Sequence, residues 1–146
     1  MFPIEKYPEH GDFLRHILFN LYGGSAFYYG VLYTQNSLLK HELDYSYTFT
    51  PSRLIFPRGF LWDDGFHLSV ALHYNPEKVI GIIHNWLRKI DLFGWIGREQ
   101  IRGFEVSSMM PEIKFVYQDI FEMNPPTLIL PILTLIEKAN SKELDQ

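Results

Sequence analysis

The chain of 146 residues contains no cysteine, which excludes a disulfide framework and a metal site built on thiolate ligands. Its histidines show no metal-ligand spacing, so we expect neither a metal ion nor another cofactor. It also lacks a run of about 18 apolar residues, and its N-terminus lacks the basic-then-apolar order of a signal peptide. The sequence therefore predicts no transmembrane helix, no membrane contact and no targeting signal in this segment.

The chain also lacks a large excess of positive or negative charge. The formal net charge is only −4, so we expect neither nucleic acid nor an anionic membrane surface as a partner. Hydrophobic residues make up 47% of the chain and aromatic residues 16%, which excludes intrinsic disorder. We expect a polar lead-in over residues 1–11, one domain over residues 12–138 and a polar tail over residues 139–146.

The most informative segment covers residues 56–67 and reads Phe-Pro-Arg-Gly-Phe-Leu-Trp-Asp-Asp-Gly-Phe-His. It mixes charged and aromatic side chains around two glycines and a proline, whereas a protein core would keep them apart. A sugar site needs this mixture, because the C–H faces of a pyranose stack on aromatic rings and its hydroxyls need polar partners. Cleavage of a glycosidic bond also needs a positioned carboxylic acid.

The same segment has a purely structural interpretation. Residues 57–59 can form an ordinary turn. Trp62 and Phe66, four residues apart, can form one apolar face of a helix. Asp63 and Asp64 are then solvated residues of the first turn, stabilised by the helix dipole.

This segment resembles the signature of glycoside hydrolase family 63, the family of mannosyl-oligosaccharide glucosidases. It departs from that signature at Asp64, where the family has glutamate. Two later blocks agree in order. Residues 94–101, with Gly103 and Glu105, are similar to the family's Gly-Trp-Ile-Gly-Arg-Glu-Gln-Ile block, and residues 124–128 are similar to its Asn-Pro-Pro-Thr-Leu block.

The resemblance implies an inverting glycosidase and gives roles to particular residues. The general acid would be the aspartate that follows the signature tryptophan, here Asp63, while no block of this chain resembles the region of the general base. Because a helix N-terminus lowers the pKa of a carboxyl group, the acid role requires opposing burial against Trp62 or Phe66. The resemblance also implies substrate-binding roles for a set of polar and aromatic residues: Arg58, Phe60, Trp62, Trp95, Arg98, Glu99, Gln100 and Glu105.

Each of these roles has a structural alternative. Arg58 can instead form a structural salt bridge. The aromatic side chains can instead pack in the core, which we favour for Phe60. A substrate role for Asp64 is disfavoured, because its side chain is one methylene shorter than that of the family's glutamate.

The resemblance implies a function for the full enzyme. It would remove the terminal α-1,2-linked glucose of the N-glycan precursor in the endoplasmic reticulum. We expect this chain to be a partial catalytic domain that is weak or inactive alone, with the N-linked oligosaccharide and the rest of that domain as partners. One rival is a non-catalytic helical module, derived from such an enzyme, that binds glycan or another protein. A second rival is another toroid glycosidase such as a trehalase relative, against which the block at residues 124–128 argues.

Hydrophobic periodicity predicts a mainly α chain. Asn75 and Pro76 have the cap-and-proline pattern of a helix start, and Pro131 predicts a kink or a shifted start for the last helix. The apolar stripe of the third helix gives the best amphipathic signal: Val79, Ile80, Ile83, Trp86, Leu87 and Ile90. The predicted helices cover residues 12–22, with Asp12 as cap, 66–74, 76–90 and 127–138, the last also preceded by a cap at Asn124.

The segments between the helices are less regular. Residues 26–33 fit a strand or a buried helical turn, and residues 45–49 alternate like a strand but predict an extended loop, because no partner is evident nearby. Residues 95–123 predict a long functional loop. The resemblance then implies part of an (α/α)6 toroid, with about two helical hairpins and long loops that carry the site.

Overall fold

The computed structural model describes residues 6–35, 43–108 and 116–141. A 3-10 turn at Pro8–His10 leads into the first helix. The described helices are α1 (Gly11–Gly23), α2 (Leu61–Ala71), α3 (Pro76–Leu87), α4 (Phe104–Ser108) and α5 (Ile129–Asn140). The described strands are β1 (Ser25–Val31), β2 (Leu43–Phe49), β3 (Gly59–Phe60) and β4 (Glu99–Gln100).

The prediction of a mainly α fold, part of an (α/α)6 toroid, is wrong, because the described residues form a mixed α/β structure. Strands β1 and β2 pair antiparallel along their whole length, from Ser25 opposite Phe49 to Val31 opposite Leu43. The predicted extended loop at residues 45–49 is therefore a strand. Its partner β1 lies in the aromatic segment at residues 26–33, for which periodicity allowed either a strand or a helical turn.

A second, smaller sheet joins two distant parts of the chain. Strand β3 pairs antiparallel with β4, with Gly59 opposite Gln100 and Phe60 opposite Glu99. The backbone N–H of Leu61 extends this contact by donating to the carbonyl oxygen of Arg98 at 2.9 Å. The predicted long loop over residues 95–123 therefore contains a short strand and the short helix α4, while its residues 109–115 lie outside the described part.

Helix α2 begins at Leu61 rather than at the predicted Phe66, so Asp63, Asp64 and Gly65 are helical residues. Gly65 lies inside this helix, at a point where another segment packs closely against it. A Cβ atom at Gly65 would lie 2.4 Å from the carbonyl carbon of Thr127, so glycine is needed there for a close approach of two segments.

The other helix boundaries follow local sequence signals to different degrees. Asn75 caps α3 as predicted, since its Oδ1 accepts from the backbone N–H of Lys78 at 2.9 Å. Asp12 is not a cap but lies inside α1, where it pairs with Arg15 at 2.7 Å. Helix α5 begins at Ile129, two residues after the predicted start at Thr127, so Pro131 stands in its first turn; of the predicted kink or shifted start, the structure has the shifted start.

The core forms where β2, α2 and α3 meet. In the predicted stripe of α3, Val79, Ile83 and Trp86 are buried, whereas Ile80, Leu87 and Ile90 are exposed. None of the described helices is long and apolar enough to cross a membrane. The buried apolar side chains that form one continuous cluster are Phe49, Leu61, Leu68, Ala71, Leu72, Val79, Ile82, Ile83, Trp86 and Leu128.

Candidate active site

Three separate sequence blocks converge around the N-terminal turn of α2. The pairing of β3 with β4 brings residues 94–101 against residues 56–67. The hydroxyl of Thr127 donates to the carbonyl oxygen of Trp62 at 2.6 Å, and the amide of Asn124 donates to the carbonyl oxygen of Arg98 at 3.4 Å. The convergence gathers most of the predicted site residues in one region.

Arg58 lies at the centre of a buried ion-pair network. Its Nε donates to Glu99 Oε2 at 2.8 Å, and its Nη1 pairs with Glu105 Oε1. The guanidinium also lies over the rings of Phe56 and Phe60, 5.6 and 5.2 Å from their centroids. Arg58 therefore holds together two aromatic rings of its own segment and two carboxylates from a segment about 40 residues later.

Glu105 is held in this network at an electrostatic cost. Its side chain is almost fully buried, and within the described residues its Oε2 has no hydrogen-bond partner. Burial raises the pKa of the Glu105 carboxyl, and the negative charge of Glu99 adds to this, while Arg58 opposes it. Glu105 and Glu99 are both ion-paired with Arg58, so both carboxylates are parts of the network.

Arg98 forms the more accessible side of the region. Its Nη2 lies 3.3 Å from Glu99 Oε1 and 2.9 Å from Glu122 Oε2, and its side chain keeps 39% of its surface exposed. Glu122 was not predicted, and nothing in its sequence surroundings indicates its part in the site. Arg98 can therefore reach a polar ligand from solvent, whereas Arg58 cannot.

Asp63 stands next to this network in the first turn of α2 and is partly buried. Burial raises its pKa above the ordinary aspartate value, and the charges of Asp64 and Glu99 act in the same direction, while His67 opposes them. Burial thus outweighs the groups that favour the charged form. The shift has the direction that a general acid needs at neutral pH.

Trp62 and Phe66 form an exposed aromatic pair beside Asp63. Their rings meet edge to face with centroids 5.9 Å apart, and 41% of Trp62 and 50% of Phe66 are exposed. An exposed aromatic pair next to a carboxyl group with a raised pKa is suited to stacking on a sugar ring.

Asp64, in contrast, is a structural residue with no exposed surface. Its Oδ2 accepts from the Thr48 hydroxyl at 2.5 Å and from the Trp86 indole N–H at 2.6 Å, and its Oδ1 accepts from the Phe49 backbone N–H at 3.0 Å. Asp64 therefore joins α2 to β2 and to α3, and the interpretation of Asp64 as a solvated first-turn residue is wrong.

Two predicted substrate-binding residues face other parts of the molecule. Gln100 is fully buried, where its amide donates to the Gly97 carbonyl oxygen at 3.1 Å and its Oε1 accepts from the Arg102 guanidinium at 2.9 and 3.1 Å. Trp95 is also buried and lines a different cavity from the region around Asp63. Arg102 was missed, although it directly follows the block at residues 94–101.

The described residues contain no group of three or more histidine, aspartate or glutamate side chains placed to hold a metal ion. What the region offers chemically is a carboxyl group with a raised pKa, exposed aromatic surface and arginine-bound carboxylates.

Comparisons with known proteins give this region its context. The model of the glycosyl hydrolase family 63 C-terminal domain matches residues 2–146. The chain is 38% identical over 142 residues to alpha-glucosidase 2 of Arabidopsis thaliana, covering 87% of this chain and 18% of that protein. It is 39% identical over 133 residues to the mannosyl-oligosaccharide glucosidase GCS1 of the same plant, covering 84% of this chain and 16% of the relative.

A third relative comes from a fungus. The mannosyl-oligosaccharide glucosidase of Saccharomyces cerevisiae is 34% identical over 157 residues, which cover 93% of this chain and 18% of that protein. The chain thus spans less than a fifth of the length of these relatives. Because the family model matches almost every residue, the chain belongs to glycosyl hydrolase family 63.

Proposed function

We propose that this chain carries the acid-bearing part of the active site of a mannosyl-oligosaccharide glucosidase. The observation that carries the proposal is Asp63, a partly buried carboxyl group whose pKa is raised by its surroundings and which stands beside an exposed aromatic pair. The names of two relatives, mannosyl-oligosaccharide glucosidases, support an N-linked oligosaccharide as substrate. The reaction is the inverting hydrolysis of its terminal α-1,2-linked glucose.

In this mechanism Asp63 donates its proton to the glycosidic oxygen as the bond to the leaving sugar breaks. Trp62 stacks on the apolar face of a sugar ring, and Arg98 donates hydrogen bonds to hydroxyl groups from the accessible side. Arg58, Glu99 and Glu105 act as a buried support that fixes the start of α2.

Phe60 and Gln100 were predicted to bind substrate, but their contacts make them parts of the buried surroundings of the site. Phe60 packs against the guanidinium of Arg58, and Gln100 is fully occupied by its bonds to Gly97 and Arg102. These residues position the site rather than touch the sugar.

An inverting enzyme needs a second carboxylate that activates water on the opposite face of the sugar. Glu99 and Glu105 are poor candidates, because both side chains are largely buried and ion-paired with Arg58, so neither faces solvent, where it could activate a water molecule. We infer that the base is supplied from outside this network, by other parts of a full family 63 catalytic domain. The isolated chain is then expected to show weak or no turnover.

The decisive experiment is an exchange of segments. The matching part of the Saccharomyces cerevisiae enzyme is replaced by this chain, and release of glucose from a glucosylated high-mannose oligosaccharide is measured. The same exchange is made with Asp63→Asn and, as a matched control, with Asp12→Asn, which changes an exposed carboxylate of α1. We expect the chimera and the Asp12 variant to be active and the Asp63 variant to lose at least about a hundredfold in rate.

An active chimera whose Asp63→Asn variant keeps its rate would overturn the assignment of the acid. A chimera that folds, binds the oligosaccharide and cannot cleave it would instead favour the non-catalytic glycan-binding module. Folding of each chimera is checked by cooperative thermal unfolding.

A further inference from the structure

A second polar region lies on a different side of β4 from the Arg58 network. It is a cavity of about 410 Å³ between the start of β2, the segment after α3 and the backbone around Gly97. Arg58, Asp63 and Glu99 do not line it, so it is separate from the candidate active site. Its wall includes Leu32, Asp44, Arg88, Lys89, Trp95 and Arg102.

Cationic side chains outnumber carboxylates in its wall. Asp44 pairs with Arg88, and its Oδ2 lies 3.7 Å from both Lys89 Nζ and Arg102 Nη2. Asp91 also lines the cavity, but its Oδ1 already accepts from the backbone N–H groups of Phe93 and Trp95 at 2.8 Å. Among the described residues of the wall, three cationic groups therefore face two carboxylates, which leaves an excess of one positive charge when Lys89 is protonated.

Two of the cations are held away from water. The side chains of Lys89 and Arg102 keep only 6% and 3% of their surface exposed. Lys89 Nζ donates to the Asn85 carbonyl oxygen at 2.7 Å and lies 5.5 Å from the ring centroid of Tyr45. Burial lowers the pKa of Lys89 to about 7, and the charges of Arg102 and Arg88 add to this effect, while Asp44 opposes it.

A carboxylate that entered the cavity would balance this charge. It would stabilise the protonated form of Lys89 in a region of low dielectric, where one opposite charge has a large effect. Arg102 contributes mainly through its field, because it already donates to the carbonyl oxygen of Gly30 and to Gln100. Arg88 pairs with Asp44 and lies over the Tyr45 ring, but 34% of its side chain is exposed, so a ligand can reach its guanidinium from the cavity.

The rest of the wall is mixed, with the hydroxyl-bearing Thr34 beside apolar side chains. Leu32, Ile90 and the buried Trp95 line the cavity together with the charged groups. A volume of about 410 Å³ is many times that of one water molecule and lies in the range of pockets for small molecules. The cavity therefore suits an organic molecule with an apolar or ring-shaped body better than a bare inorganic ion.

We propose that this cavity is a binding site for a small organic monocarboxylate, whose carboxylate is bound by Lys89 and Arg88 and whose body packs against Trp95 and Leu32. The proposal does not depend on the proposed glucosidase function, since it uses neither Asp63 nor the Arg58 network.

The test is a titration of the purified chain with benzoate, followed by NMR through the indole N–H signals of its tryptophans. Benzamide, which has the same ring and no charge, is the matched ligand. We expect saturable binding of benzoate at about millimolar concentration and at least tenfold weaker binding of benzamide. Because the protonated fraction of Lys89 falls from about nine-tenths at pH 6 to about one-thirtieth at pH 8.5, benzoate binding should weaken roughly thirtyfold over that interval.

Two variants of Lys89 separate charge from folding. Lys89→Met should weaken benzoate binding at pH 6 at least tenfold, whereas Lys6→Met, which removes an exposed lysine outside the cavity, should leave it unchanged. Lys89→Arg keeps the cation at both pH values, so binding should remain but lose its pH dependence. Equal binding of benzamide, absence of saturable binding or a persistent pH dependence in Lys89→Arg would each overturn the proposal.

Discussion

The Thr127 hydroxyl donates a 2.6 Å hydrogen bond to the Trp62 carbonyl oxygen, and this bond joins the segment before α5 to the first turn of α2. The two segments approach so closely that Gly65 has no room for a side chain, since a Cβ atom there would lie 2.4 Å from Thr127. The position of Asp63 and of the aromatic pair beside it therefore depends on a contact far along the chain.

We expect Gly65→Ala to destabilise the protein by about 1–3 kcal/mol, because the added methyl group must displace the backbone of Thr127. Gly81→Ala is the matched control. Gly81 lies inside α3, and a Cβ atom there meets nothing within 4 Å, so this change should stabilise by about 0.5–1 kcal/mol. Urea unfolding measures both free energies, and equal effects of the two substitutions would contradict the close contact.

Local sequence signals predicted the helices better than the sheet. Asn75 and Pro76 mark the start of α3 because a cap and a proline act within a few residues. Strand β2 could not be predicted in this way, since its stability depends on β1, and the register between them is set by the meeting of two segments rather than by either one. The alternating pattern at residues 45–49 is the signal of this strand, but the pattern alone does not identify its partner.

The three sequence blocks that carry the candidate site residues do meet in space, but the sequence could not separate neighbouring residues. Glu99 and Gln100 are adjacent in β4, and successive side chains of a strand point to opposite faces. Glu99 consequently reaches Arg58, whereas Gln100 reaches Arg102 on the other side. The similarity of residues 94–101 to the family's block indicates that both residues lie near the site. Only the pairing of β4 with β3 determines which of the two side chains faces it.

The buried network around Arg58 leads to a second prediction. Arg58→Leu leaves the carboxylates of Glu99 and Glu105 without their main cation, so we expect a loss of about 3–5 kcal/mol at pH 7. The loss should shrink toward pH 5, because the uncompensated carboxylates can then bind protons. Arg98→Leu removes a more exposed arginine from the same region and should cost less than about 1 kcal/mol. A similar loss in both variants, or a loss independent of pH, would contradict this account.

Asp64 gives a third prediction. An asparagine at this position keeps one acceptor oxygen but turns an amide toward groups that are themselves donors, such as the Trp86 indole N–H or the Phe49 backbone N–H. We expect Asp64→Asn to destabilise the protein by about 2–4 kcal/mol, since it breaks charge-assisted bonds in a site without solvent. Chemical unfolding monitored by tryptophan fluorescence measures the change in stability, and a loss below about 1 kcal/mol would contradict the structural role.

Asp63 should respond in the opposite way to the same substitution. The Asp63 pKa is raised in the folded state above the ordinary value of about 3.8. Between the ordinary pKa and the raised pKa, the folded protein therefore binds more protons than the unfolded chain. Stability therefore falls as the pH rises through that interval. At pH 7 the carboxylate is charged, and the folded protein is less stable by the full effect of the pKa shift.

Asp63→Asn removes the charge, so it should stabilise the protein at pH 7, and the gain should vanish below about pH 3.8. Thermal unfolding of the two proteins across this pH range measures the difference, with Asp12→Asn as an exposed control that should show no such gain. A loss of stability in Asp63→Asn at neutral pH would mean that the carboxylate is bound as a structural group, as Asp64 is, and would remove the physical basis for its role as the acid.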